Sequence, residues 1–142
     1  MSKEAFFWSI VTALIWGVVP IFEKLGLAKL SPSSGLFIRC VGVIIGAIML
    51  MSFKFNIIKS DLANTSFKSI IFILLGGFLA SFLAQMFFYR ALKTGDASRV
   101  VPIAAAYPFM TFILALIFLG EKFTMSKFIG LCFILFGIVL LR

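Results

Sequence analysis

Histidine is absent from this sequence, and only two cysteines and five acidic residues are present. A metal centre without histidine needs clustered thiolates or carboxylates, and Cys40 and Cys132 sit far apart in separate apolar segments. No metal site can be assembled from them, and both are expected as small packing residues rather than as a disulfide. The same scarcity bears on catalysis. No buried carboxylate pair, histidine-containing cluster or buried serine with a basic partner is visible to activate a nucleophile or a water. No catalytic residue and no cofactor is expected, and an intramembrane enzyme is the weakest reading. Charge is sparse too, at 13% of residues, against 63% hydrophobic residues and a mean hydropathy of +1.20. A small soluble globule cannot bury that much apolar surface, so a soluble domain is excluded. The net charge of +8 would suggest nucleic acid in a soluble protein. Here the lysines and arginines flank apolar runs, which makes them headgroup anchors and leaves no nucleic-acid reading.

What the sequence has in abundance is apolar length. A helix needs about 20 apolar residues to cross roughly 30 Å of hydrocarbon, and the runs predict five spans, at about 5–27, 34–53, 69–92, 98–119 and 126–141. The expected fold is all-α: a polytopic membrane protein of five transmembrane helices, in the cell membrane, with no second domain. The first run follows a lysine, as signal peptides do. It is too long for one and lacks a small-residue cleavage pattern, so it is expected to stay as a span. Ser33 and Ser34 are placed to cap the second helix, and Lys54 to Lys68 reads as a longer polar connection. The remaining connections are short, which forces antiparallel neighbours and a compact bundle. The last span is the shortest and suits little tilt or thinned lipid. Asn64-Thr65-Ser66 fits a glycosylation pattern and reads as an accident of a polar loop.

Five spans put the termini on opposite faces. Lys3, Lys54, Lys59, Lys68, Lys122 and Lys127 fall on one face; Lys24, Lys29, Arg39, Arg90, Lys93, Arg99 and Arg142 fall on the other. An excess of Lys and Arg normally marks the cytoplasmic side. Near-equality predicts insertion in both orientations, unless the first span overrides so weak a signal.

Charge at mid-span costs about 2.5–3.5 kcal/mol or more, and none lies there. Glu23, Lys24, Arg39 and Arg90 lie roughly one turn inside a boundary. Two readings stand: snorkelling stems with heads in the interface, or a charged vestibule in which Arg39 pairs with Glu23 and guards a cavity mouth. Glutamate snorkels less than lysine, so Glu23 is the best candidate for a specific partner. Gln85 is deeper and needs a partner, either a facing helix or a substrate. Trp16 and Tyr107 fall near the midplane, away from the interfacial belt, where they either pack the core or line a pocket. With Thr12, Gln85, Pro108 and Thr111 they form a candidate cavity set, mostly apolar with a few polar points. Pro108 removes a backbone donor in mid-span, tolerated only where protein or a wet cavity covers the break. Pro20 is expected to add a bend, and Pro102 either bends or simply starts its helix. Gly42 and Gly46 form a GxxxG, and Gly130 and Gly137 share a face of the last helix; both pairs are helix-packing candidates, the second for a dimer seam.

The ordered set Trp16-Gly17, Lys24, Arg39, Tyr89 through Ser98, Pro108, Gly120-Glu121, Gly130 and Gly137 resembles one EamA-type repeat of the drug/metabolite transporter superfamily. The resemblance covers essentially the whole chain. It implies a half-size transporter, because members of that superfamily commonly join two inverted five-span repeats. It implies a small-molecule substrate, alternating access, and a cavity completed by a second chain, hence an antiparallel homodimer of dual topology. The chain is also similar to small multidrug resistance proteins, antiparallel dimers with an acidic residue in the first span for proton coupling. Glu23 is the nearest equivalent and lies closer to the span's end. With no acid at the midplane, facilitated diffusion or exchange is expected over proton antiport. The competing reading from another class is a non-transporting membrane subunit that scaffolds a larger complex.

Overall fold

The computed structural model describes residues 2–141. Serine hydroxyls start the first three helices. Ser2 accepts from the Ala5 amide at 3.1 Å and opens α1, Lys3–Leu27. Ser31 accepts from the Ser34 amide at 3.1 Å and opens α2, Pro32–Asn64, with Pro32 in the first turn, where its missing N–H costs nothing. The expected caps at Ser33 and Ser34 are thus corrected to Ser31, and Ser34 is the residue that receives the cap. Ser66 caps α3, Phe67–Thr94, through the Ser69 amide at 3.3 Å. These hydroxyls satisfy amides that have no partner within the helix.

Two elements depart from the sequence expectation. Lys54–Lys68 was expected as a connection, yet α2 continues through it to Asn64, interrupted by non-helical backbone at Lys54 (φ −125°, ψ 22°). Residues 55–64 carry many polar side chains but include no proline or glycine, so the helix runs on to Asn64. In α3, residues Leu79–Leu83 form a π-helical turn, in which the Ala84 N–H reaches back to the Leu79 carbonyl. Such turns recur at functional sites.

By length and apolarity, α1, α2, α3 and the stretch Ala97–Phe118 are each able to cross a bilayer. Met125–Leu140 is apolar but shorter. The protein is an all-helical, multi-pass membrane protein. Its outward faces are bare: Phe22 is 70% exposed and Ile73 79%. That would be ruinous in water and is ordinary in lipid, where tails replace water against those side chains.

The chain divides into two compact units, one up to Lys93 and one from Thr94. In the first, the core gathers where α1 ends, α2 begins and α3 ends. Leu27, Leu36, Tyr89 and Leu92 are buried there, Leu92 completely. Gly35 permits the approach, because a Cβ on it would stand 2.7 Å from a Leu27 methyl and 3.3 Å from the Tyr89 ring. In the second unit, α4 (Ala97–Ala104) and α5 (Tyr107–Phe118) are separated by a turn at 105–106, and α6 is Met125–Leu140. Pro108 is the cause: it has no amide for the carbonyl four residues back, and its ring disfavours a continuous helix there. Pro102 sits inside α4 rather than at its start. After α5, Gly120 adopts φ +63° and the Glu121 N–H returns to the Ala115 carbonyl at 3.2 Å, closing the helix in the left-handed manner that glycine favours. Phe112, Phe123 and Phe128 meet in sequence as tilted rings with centres 5.9 Å apart, and Lys127 pairs with Glu121 at 3.2 Å.

Candidate functional site

Three polar side chains of the first unit converge on Glu23. It lies four residues before the end of α1, or about 6 Å below that end. Three groups meet one oxygen: Gln85 Nε2 donates to Oε1 at 2.9 Å, the Tyr89 hydroxyl donates at 2.9 Å, and Arg39 Nε stands 3.5 Å away. Arg39 also donates from Nη1 to the Ser81 carbonyl at 3.0 Å. Ser81 lies in the π turn. A π turn spreads the helix's own hydrogen bonds, which leaves a carbonyl there open to an outside donor. Ser81, Gln85 and Tyr89 are spaced by four, so α3 presents them as one stripe toward α1 and α2.

The ion pair is sheltered but not sealed. The Glu23 side chain keeps 10% of its exposure and that of Arg39 29%. Opposite charges at this depth offset each other's desolvation, and the amide and phenol supply further donors to the carboxylate. Above this level two lysines tie the helix ends together. Lys24 of α1 donates to the Leu92 carbonyl of α3 at 2.6 Å. Lys93 of α3 donates to the carbonyls of Leu27, Ala28 and Leu30 at the end of α1. Each ammonium thus sits at the partner helix's C-terminus, where the helix dipole favours positive charge.

The residues singled out from sequence fall into distinct places. Glu23, Arg39 and Gln85 meet, and Lys24 is one layer above. Arg90 lies on the same stretch of α3, with an exposed side chain. Trp16 is 61% exposed, and Thr12 turns its hydroxyl back to the Trp8 carbonyl at 2.9 Å, so its polarity is spent within its own helix. Tyr107, Pro108 and Thr111 belong to the second unit, at the start of α5, with Tyr107 56% exposed. Among the described residues, and apart from the helix's own backbone, nothing stands within 4 Å of a Cβ built on Gly42, Gly46, Gly130 or Gly137. Those glycine faces are therefore uncovered. Among the described residues no group of three metal-ligating side chains forms. Tyr89, Ser81 and Lys93 were not singled out as site residues. Tyr89 was findable, since its spacing of four from Gln85 puts both on one face; the Ser81 carbonyl has no sequence signal.

Two of the concave surfaces among the described residues are open and apolar. One is formed by Leu14, Ile15, Val18, Val19 and Phe22 of α1. The other is formed by Val43, Gly46, Ala47, Met49, Leu50 and Phe53 of α2.

Comparison with known proteins adds the following. Residues 3–142 match the EamA-like transporter family. The chain is 31% identical over 143 residues to an uncharacterized transporter encoded in the cobO 3′ region of a Sinorhizobium species, covering 99% of this chain and 98% of that protein. It is 31% identical over 132 residues to an uncharacterized protein of Methanocaldococcus jannaschii, covering 93% and 91%. No solved structure matches the chain.

Proposed function

Because the chain belongs to the EamA-like transporter family, we propose that this membrane transporter moves small organic molecules through a cavity that two copies complete. One copy inserts upside down relative to the other, and the pair exposes the cavity alternately to each side by rocking one bundle against its partner.

The observation that carries this reading is a sheltered ion pair on a chain whose concave faces are open. Glu23 and Arg39 form an ion pair about one turn inside the end of α1, which supports a role as a gate. The concave faces of α1 and α2 are open troughs, and the glycine faces of α2 and α6 are bare. A second copy supplies what a single chain lacks. The Sinorhizobium relative is matched over nearly its whole length, so chains of this size recur. The even split of lysine and arginine between faces favours both insertions. Thr12, Trp16, Gln85, Tyr107, Pro108 and Thr111 are assigned to the cavity wall and Lys24 and Arg90 to the rim of the gate. Gly42, Gly46, Gly130 and Gly137 are assigned to helix packing in the pair. No coupling proton is assigned, since no acid lies at mid-span.

The test is flux. A thermal-shift screen of amino acids, amines and amphipathic drugs against detergent-solubilised protein identifies a ligand, because binding to the folded state raises its melting temperature. The protein in vesicles is then expected to give saturable uptake of that ligand, accelerated by unlabelled ligand on the far side. Arg39→Gln is expected to disturb uptake while binding survives. Vesicles that move nothing, from protein that is folded and inserted, would instead support a scaffolding subunit.

A further inference from the structure

We infer that residues 55–64 form an interfacial helix that lies on the membrane surface and binds anionic lipid headgroups. The first ground is length. Helix α2 has 33 residues, about 50 Å at 1.5 Å per residue, against roughly 30 Å of hydrocarbon. Residues 32–53 already account for about 33 Å of it. The surplus begins where the backbone leaves helical geometry, at Lys54. A helix that has finished crossing and then breaks is free to turn into the plane of the surface.

The second ground is pattern. At 100° per residue, Phe55, Ile58 and Leu62 fall within a 60° sector, with Lys59 on one flank and Asp61 on the other, and Lys54 stands at the break that precedes the helix. Ser60, Asn56 and Asn64 occupy the far side, joined there by Ile57. Phe55 is 48% and Leu62 55% exposed, while Ile58 between them is half-buried, so among the described residues most of the stripe is open. Among the described residues the side-chain hydrogen bond of this segment is local, from Asn64 to the Ser60 carbonyl at 2.9 Å. An apolar stripe edged by lysine is what an interfacial helix requires: the stripe enters the acyl boundary and the ammonium groups reach the phosphates.

The third ground is charge. Lys54, Lys59 and Lys68 stand against the single Asp61 over this stretch. The ammonium of Lys68, just inside α3, lies 5.7 Å from the centre of the Phe72 ring. Each lysine near an anionic surface strengthens attraction by about five-fold. The occupant that satisfies both stripe and charge is the anionic leaflet itself. The helix then fixes the depth of α2 and α3 and makes the protein's stability depend on lipid charge.

The experiment uses the full chain with Cys40 and Cys132 replaced by alanine, and single bimane-labelled cysteines at 55, 58, 62, 56 or 60. It is reconstituted in phosphatidylcholine vesicles with or without phosphatidylglycerol, either lipid carrying bromine near the top of its chains. Quenching at 55, 58 and 62 is expected to exceed that at 56 and 60 by about two-fold or more, as burial of one face requires. Brominated phosphatidylglycerol is expected to quench more than brominated phosphatidylcholine at equal mole fraction. That preference is expected to fall by about five-fold for each of Lys54→Gln and Lys59→Gln. Equal quenching on both faces overturns the inference. So does protection of the stripe from lipid together with cysteine cross-links between copies, which would make it a protein interface, or quenching indifferent to lipid charge.

Discussion

Replacing Tyr89 with phenylalanine removes one atom from the centre of the proposed gate and leaves its packing intact. The Tyr89 ring is 4% exposed and lies over Gly35, against Leu27; phenylalanine keeps that surface. What disappears is the hydroxyl donation to Glu23 Oε1 at 2.9 Å. A hydrogen bond to a charged acceptor contributes about 1.5–3 kcal/mol. The lower end applies, because Gln85 and Arg39 still face the same oxygen and the carboxylate keeps some contact with its surroundings. Tyr89→Phe should therefore lose about 1.5 kcal/mol, and Glu23→Gln about 2–3 kcal/mol, since the charge that strengthens all three contacts is gone. The double variant should lose less than the sum by about 1 kcal/mol, because both remove the same bond. The control is Tyr107→Phe, whose side chain is largely exposed and which should stay within about 0.5 kcal/mol of the parent. Equilibrium unfolding by SDS in mixed micelles, followed by circular dichroism, reads all four. Losses that add to within about 0.3 kcal/mol would refute the network as drawn, as would a neutral Tyr89→Phe.

Three further outcomes are expected in the same assay. Leu92→Ala, at the fully buried position of the first unit, should cost about 2–5 kcal/mol, whereas Ile73→Ala on a bare face should cost far less. Gly35→Leu should be worse than Gly35→Ala, because even the added Cβ meets Leu27 at 2.7 Å, with overpacking of about 1–3 kcal/mol expected; Gly42→Ala, with open space around it, should not destabilise the chain but should weaken pairing if that face meets a second copy. Gly120→Ala should cost about 1–2 kcal/mol, since φ of +63° strains any residue with a Cβ.

The helices were legible because apolar length is a strong signal, and the spans 5–27 and 98–119 overlie α1 and Ala97–Phe118. The pairing of Glu23 with Arg39 was legible for a chemical reason: a short carboxylate inside a boundary cannot reach water as lysine does, so it must find a cation. The helix through 54–64 was not, because polarity was taken for a loop, while a surface helix is polar on most of its circumference. The π turn at 79–83 was not legible either. It is a hydrogen-bond register and is associated here with Arg39, a residue of another helix. Nor did the sequence reveal that Thr12 would satisfy itself within α1. A threonine hydroxyl in a helix has the carbonyl four residues back within reach, and that local bond competes with any cavity role.

The most direct test of transport by an antiparallel pair is to lock the orientation. Two or three lysines added to the end loops on one face should fix one insertion, and the same number on the other face the opposite one. Each locked version alone should insert, fold and give no flux of the ligand found in the thermal-shift screen. Co-expressed, the two should restore saturable flux to the level of the parent. Full activity from one locked version on its own, or a parent protein labelled at its C-terminus from one side only, would contradict the antiparallel pair.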